Sequence, residues 1–339
     1  MTVTIRDVAK RLNLSITTVS RALDGYDDVA EGTRQRVIQA AHEMGYFPTT
    51  AARQLRGKRC NTIGFIIPAR QPRFADPFFS EFIAGLGDGA ANRNFDLLVT
   101  SIPPVEEAEH LAYERWVQGR RVDGIVLARL RTRDWRIQYL KSQALPFVIF
   151  NQSRIELDVP GIAVDGETGI ATLVQHLARK GHRKFAYIGA SPELLLQVER
   201  FNSFRNSLAT AGIRLNPAYI LESDLRQSGG YQAGKRLLSL VERPTAIICV
   251  NDLTAIGVLQ AAREYGIAVG TDLAVAGFDG IAQAENTQPP LTTLNQPVYE
   301  IARELVEILL AIILDEPIAK KRATLQPELI LRQSTGDFA

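Results

Sequence analysis

Between Ser15 and Arg21 the chain reads SITTVSR, a run of small hydroxyl side chains closed by a guanidinium. Set along one helix, these groups match the chemistry of base edges. Arg21 can fork onto guanine, Thr17 can hydrogen-bond a base, and Ile16 can meet a thymine methyl. Thr4, Ser15, Thr18, Ser20 and Arg34 carry donors of the kind that hold phosphates and set register. A second group lies far downstream, near the ends of apolar runs. Asn151 follows PFVIF, Asn251-Asp252 follow TAIICV, Asp279 follows LAVAGF, and Arg200 sits in QVERFNSF after KFAYIG. Arg200 can donate twice to a hydroxyl pair or a carboxylate, Asn251 can donate and accept, and Asp279 can accept two hydroxyl hydrogens. That combination suits a sugar-like polyol. Phe74, Asp76, Phe78 and Phe79 lie in ARQPRFADPFFSEF, where aromatic faces can stack on a ring; Phe78 and Phe79 suit core anchors equally well. Phe150 and Leu225 are further apolar candidates. Asp252 and Asp165 also read as helix N-caps.

Short helices must position the first group. Ile5, Val8, Ala9 and Leu12 recur at i, i+3, i+4, i+7 and form one apolar face. Thr4 can cap that helix, and Asp7 sits near its positive end. Asn13-Leu14-Ser15 supplies a tight turn, because Asn tolerates the left-handed conformation and Ser15 is a natural N-cap. The next helix runs from Ile16 to Leu23, with Val19 and Leu23 inward. A third, about 31–44, is expected to turn Val37, Ile38, Ala41 and Met44 inward and to stop at Gly45. Two helices joined by a three-residue turn form a helix-turn-helix, whose second helix enters a major groove. A helical packing module without nucleic acid is the competing reading of periodicity alone.

The blocks D-V-A, S-x-x-T-V-S-R, T-R-x-x-V, G-Y-x-P and A-x-x-L-x-G fall in order over the first sixty residues. In this the chain resembles the headpiece of the lac-repressor-type (LacI/GalR) family of bacterial transcription regulators. The resemblance implies a hinge helix over TTAARQL (49–55). There Leu55 would wedge into the minor groove, Ala52 would let two hinge helices approach, and Arg56 would reach the backbone; an apolar wedge of this kind unstacks a base step and allows a bend. Thr49 stands where the family usually has Asn, which puts its groove contacts in doubt.

From residue 61 apolar runs of strand length alternate with helix-length segments. Runs at 62–68, 95–102, 122–128, 146–151, 161–165, 184–189, 218–223, 245–251, 273–279 and 291–296 read as strands covered on both faces, and the alternation argues βαβ units. Ten strands exceed one typical sheet, so two open α/β halves are expected. Ligands then sit outside the C-terminal strand ends. The resemblance implies a periplasmic-binding-protein-like core that the chain crosses three times, near 160–162, 290–294 and 321–325. The expected fold is therefore α/β, with two open parallel-sheet subdomains behind an all-α helix-turn-helix headpiece. Its parts are a headpiece over 1–48, a hinge and linker over 49–60, a first subdomain over 61–160 plus 295–322, and a second over 161–294 plus 323–339. The resemblance gives the downstream Arg, Asn and Asp residues the role of effector contacts; Asn151 stands where some members carry aspartate.

Charge agrees with this division. Residues 1–60 hold ten Lys/Arg against six Asp/Glu, whereas the remaining residues hold 29 against 31. A basic end on a slightly acidic body suggests a nucleic-acid module fused to something else. No apolar stretch reaches the roughly 18–20 residues of a membrane span. No secretory leader is evident, and Cys60 and Cys249 match neither zinc spacing nor a disulfide framework. A cytoplasmic protein without metal or cofactor is expected. The glycines of GLGDGA (85–90) fit close helix packing better than a phosphate loop, and no catalytic motif appears. The expected function is a ligand-responsive, sequence-specific DNA-binding transcriptional regulator of the repressing kind. It would bind a palindromic operator as a homodimer, since TGDFA at 335–339 carries no leucine-heptad tail of the sort that makes tetramers. A small-molecule-binding cleft protein without operator function is the alternative.

Overall fold

The structure, a computed structural model, describes residues 3–23, 25–46, 59–68, 76–150, 159–318 and 321–336. It divides into two compact units, Met1–Cys60 and Asn61–Ala339. The first unit holds α1 (Ile5–Leu12), α2 (Ile16–Leu23) and α3 (Glu31–Met44). Val8, Val19 and Val37 are fully buried, with Ala9, Ala22, Ala40 and Ala41 packed among them. Small residues at these positions let three short helices approach closely. Ile38 departs from expectation: it is 51% exposed, because the inward stripe of α3 runs through 37, 40 and 41 and leaves 38 on the far side. Asn13 takes the left-handed conformation at φ 55, and the Leu14 amide donates to the Ala9 carbonyl, which closes α1 and starts the turn.

The second unit contains two six-stranded sheets. The first uses β1 (Thr62–Pro68), β2 (Asp96–Ile102), β3 (Gly124–Leu127), β4 (Phe147–Phe150), β5 (Gly161–Val164) and β11 (Arg322–Leu325), in the order β11-β5-β4-β3-β1-β2, all parallel. The second uses β6 (Phe185–Gly189), β7 (Ile220–Glu222), β8 (Ala246–Cys249), β9 (Ala274–Asp279), β10 (Thr292–Asn295) and β12 (Glu328–Ile330), in the order β12-β10-β9-β8-β6-β7. Only β12 runs antiparallel to its neighbour there. Helices cover the sheets: α4 (Pro77–Ala91), α5 (Glu106–Gln118), α6 (Trp135–Ser142), α7 (Gly166–Arg179), α8 (Leu195–Thr210), α9 (Gln227–Leu238), α10 (Asp252–Glu264) and α11 (Val298–Leu314). The strands β3, β4, β5, β6 and β8 are buried at every position, as strands covered on both faces should be.

Sheet membership corrects the expected subdomain boundaries. Gly161–Val164 pairs with β4 and belongs to the first sheet. A Cβ on Gly161 would fall 2.2 Å from the Ile149 carbonyl oxygen, so only glycine lets β5 lie this close to β4. Arg322–Leu325 also joins the first sheet, beside β5. The chain therefore changes sheet at about 165, 296 and 326, a few residues later each time than the crossings expected from the resemblance. Gly85 and Gly89 do serve helix packing. Cβ atoms there would meet the Tyr299 carbonyl at 2.3 Å and Val306 at 3.0 Å, so α4 and α11 touch through their backbones.

Candidate functional site

In the first unit, the turn positions the exposed face of α2. Ser15 Oγ accepts the Thr18 amide at 3.0 Å and bonds the Thr18 hydroxyl at 2.8 Å, which caps α2 where its amides would otherwise be unsatisfied. Val19 is buried beneath, so Ile16 (45% exposed) and Thr17 must face outward. Arg21 also reaches outward but is occupied. Its Nε donates to Asp28 Oδ1 at 3.1 Å, its Nη2 lies 2.6 Å from Oδ2, and its guanidinium covers the Tyr26 ring at 4.5 Å. Thr4 gives both its amide and its hydroxyl to Asp7, at 2.9 and 2.7 Å, and these bonds hold the Asp7 carboxyl below its ordinary range. Arg34 donates to Glu31 and to the Tyr26 carbonyl, bracing the loop between α2 and α3. Ser20 is half-buried on α2. Ala52, Leu55 and Arg56 lie outside the described residues.

In the second unit, the C-terminal strand ends converge on one chamber. Its lining includes Asp76, Phe78, Arg129, Phe150, Arg200, Leu225, Asn251, Asp279 and Gln296. The void is about 40 Å³, room for about three waters. A larger groove of about 800 Å³ continues from it and shares Asp76, Arg129 and Leu225. Phe74 and Asn151 lie outside the described residues.

Among the described residues, each half contributes one guanidinium and one carboxylate to the chamber. From the first, Asp76 caps α4 through Oδ1, which accepts the Phe78 amide at 3.2 Å, and its Oδ2 meets Arg129 Nη2 at 2.8 Å. Burial pushes the Asp76 carboxyl up, while Arg129 pulls the other way. Arg129 sits at φ 50 two residues past the end of β3 and lies over the Phe79 ring at 4.4 Å. Phe79 is thus chiefly a core anchor with one face under the cation, whereas Phe78 is half-buried in the chamber wall. From the second half, Arg200 on α8 is 5% exposed, donates to the Val250 carbonyl, and stacks on Phe278 at 3.5 Å. Burial lowers its pKa, opposed by Asp279 at 3.9 Å. Burial raises the Asp279 carboxyl well above the ordinary range, against the pull of Arg200. Asp279 holds φ 118, a backbone angle costly for any residue with a Cβ. Gln296 Nε2 donates to it at 2.7 Å; the buried Gln296 Oε1 has no hydrogen-bond partner among the described residues.

Asn251 faces the chamber, but its amide is spent on structure. Oδ1 accepts the Thr254 amide and hydroxyl, and Nδ2 donates to the Leu225 carbonyl at 3.0 Å. It is therefore the N-cap of α10, the role expected of Asp252. Asp252 is instead fully buried at the first helical position, where it accepts from the Gly280 and Ile281 amides and the Thr293 hydroxyl. Burial raises its pKa to about 7 despite those donors. The three bonds fix the turn that carries Asp279. Asp165 does cap its helix, through the Thr168 amide at 2.9 Å. Arg129 and Gln296 escaped the sequence reading. Gln296 directly follows β10 and Arg129 lies two residues past β3, so the rule that found Asp279 at a strand end applied to them as well. Among the described residues no cluster of three or more His, Cys, Asp and Glu could hold a metal ion, and no helix is long and apolar enough to cross a membrane.

Known proteins share both parts. A family profile described as bacterial regulatory proteins, lacI family, matches residues 4–49, and one described as a periplasmic binding protein-like domain matches residues 174–335. The chain is 34% identical over 333 residues to the HTH-type transcriptional repressor CytR of Escherichia coli K12, covering 98% of this chain and 96% of that protein. It is 32% identical over 340 residues to the HTH-type transcriptional regulator AglR of Rhizobium meliloti, covering 99% and 95%. Among solved structures, a lac repressor dimer bound to operator and the anti-inducer ONPF superposes with a TM-score of 0.84 at 25% identity, covering 99% of both chains. A complex of the transcriptional regulator CelR with cellobiose gives 0.75 at 28% identity, covering 98% of this chain and 99% of that one.

Proposed function

The chain belongs to the lacI family of bacterial regulatory proteins, and from that membership we propose how it works: a homodimeric repressor grips a near-palindromic operator and answers to an uncharged polyol in the core cleft. It is a DNA-binding transcriptional regulator with an effector-binding core. The observation that carries the proposal is the presence, in one chain, of a capped helix offering Ile16, Thr17 and Arg21 outward and a chamber at strand C-termini lined by Arg129, Asp76, Arg200 and Asp279. Among the described residues the chamber's two cations and two carboxylates sum to no net charge, which favours a neutral ligand rich in hydroxyl groups over a phosphate ester. The protein acts in the cytoplasm, where its DNA lies, and catalyses no reaction.

On DNA, Ile16, Thr17 and Arg21 read base edges, while Thr4, Ser15, Thr18, Ser20 and Arg34 bind phosphates. Arg21 must first leave Asp28, an exposed pair that holds it weakly. Ala52, Leu55 and Arg56 complete the grip in the minor groove. In the core, Phe78, Phe79, Leu225, Asn251 and Asn151 frame the effector with Phe74. A chamber of about 40 Å³ cannot admit a sugar ring unless the halves part. The effector then shifts the balance between open and closed forms by no more than its differential affinity, and each tenfold preference is worth about 1.4 kcal/mol.

The test is a gel shift on the chain's own upstream DNA at two salt concentrations with bulk competitor. Specific retention that weakens with salt is expected. Failure on every fragment, with or without small molecules, favours a cleft protein with no operator. A thermal-shift screen of sugars, sugar phosphates, nucleosides and amino acids identifies the effector class, since a ligand that prefers the native state raises apparent stability.

A further inference from the structure

The two halves of the core touch through more than their crossing strands. Between β3 and α6 the first half extends Leu130–Thr132; before α8 the second half extends Glu193–Leu195. Arg131 and Leu194 form an isolated antiparallel bridge. The Thr132 amide donates to the Glu193 carbonyl at 2.8 Å, and the Leu195 amide to the Leu130 carbonyl at 2.9 Å. The Leu195 side chain, 8% exposed, is buried in a cluster with Tyr113, Trp116, Leu130 and Ile137, and every other described member of that cluster belongs to the first half. The first-half side is braced from behind. Arg131 Nη2 meets the buried Glu109 at 2.7 Å, Arg136 pairs with Asp134, and Arg136 donates to the Ala128 and Arg129 carbonyls.

We propose that this bridge is a clasp that couples the cleft to the first half. Leu195 opens α8, and Arg200 lies five residues further along the same helix, about 7.5 Å of rise. A pull on Arg200 by a cleft occupant acts along α8 on Leu195, and a shift of Leu195 disturbs the cluster beneath β1 and β3. Leu195, Arg131 and Thr132, none of which lines the chamber, are thus positioning residues: they set the effector response without touching the effector. The inference rests on the regulator reading above.

Arg131 and Leu194 are a non-hydrogen-bonded antiparallel pair. Their Cα atoms are expected at about 4.5 Å, within disulfide range. The full-length double variant Arg131→Cys/Leu194→Cys allows the clasp to be locked or released in one polypeptide. The two native cysteines are buried. The disulfide should form with mild oxidant, and oxidised and reduced forms should differ about tenfold or more in affinity for the upstream DNA with no small molecule added. Failure of the bond to form, or equal affinity, overturns the clasp while leaving the regulator reading intact. Loss of DNA binding in both forms and in the parent chain removes the regulator reading and the coupling with it. As a second variant, Leu195→Ala should raise amide exchange at Thr132 and Leu195 about tenfold, with the amides of Phe65 and Ile248 unchanged. Exchange that stays level, or that rises equally in both sheets, also rejects the clasp.

Discussion

The headpiece and the cleft use similar side chains in opposite ways. In the headpiece, the working polar groups are exposed or half-buried and find partners close by in sequence: Thr4 with Asp7, Ser15 with Thr18, Arg21 with Asp28, Arg34 with Glu31. In the cleft they are buried or half-buried, and their partners are remote: Asp76 with Arg129, Arg200 with Asp279, Asp252 with Thr293. A local exposed pair is worth roughly 0–1 kcal/mol and can be given up to a phosphate or a base. A buried remote pair is costly to break, because its survivor is left in a poor solvent. One region is built to exchange partners and the other to hold them until the halves move.

The sharpest break of this contrast is Arg200→Ala. It strands Asp279 and uncovers Phe278, and should cost about 3–5 kcal/mol in denaturant unfolding as well as the effector response. Arg21→Ala should stay within about 0.5 kcal/mol. Equal costs would mean that burial does not separate the two regions.

Next comes pH. The Asp252 carboxyl is raised to about 7 in the folded chain, against roughly 3.9 when unfolded. The native state therefore binds this proton more tightly, and the stability it confers is full below about pH 4 and is lost as pH climbs through 7. Between pH 5 and 7 the parent chain should lose roughly 2 kcal/mol relative to Asp252→Asn. Parallel denaturation curves for the two proteins across that window would reject the assignment.

Arg21→Ala tests the other region by selectivity. Discrimination at one base pair per half-site should fall by about 1–3 kcal/mol in competition binding, with the dimer intact. A change in dimerisation alone would move Arg21 off the groove. The smallest effect is expected from Asp28→Asn, which frees Arg21 and should tighten DNA binding by under about 1 kcal/mol. Weaker binding would show that Asp28 orients Arg21 and does not compete for it.

The same contrast explains what could be read from the chain beforehand. Helix spacing and caps act over three or four residues, so α1, α2 and the turn at Asn13 were legible. Strands announced themselves by apolar runs, and β1 was placed residue for residue. Which sheet a strand joins depends on partners far away, and GIAV at 161–164 looks the same in either. Asn251 and Asp252 both suit a cap; only the turn at Gly280, brought near by the fold, shows that Asp252 is needed elsewhere. Arg129 stands among four arginines between 129 and 136, and nothing local sets it apart from the other three until the fold brings Asp76 and Phe79 beside it.

The narrowness of the inner chamber has a kinetic consequence. An occupant larger than a few waters must wait for the gap to open, however often it collides with the mouth. Observed association rates in stopped flow should then level off at high effector concentration, at the frequency with which the two halves separate. That plateau should be common to every effector the protein accepts, whatever its affinity.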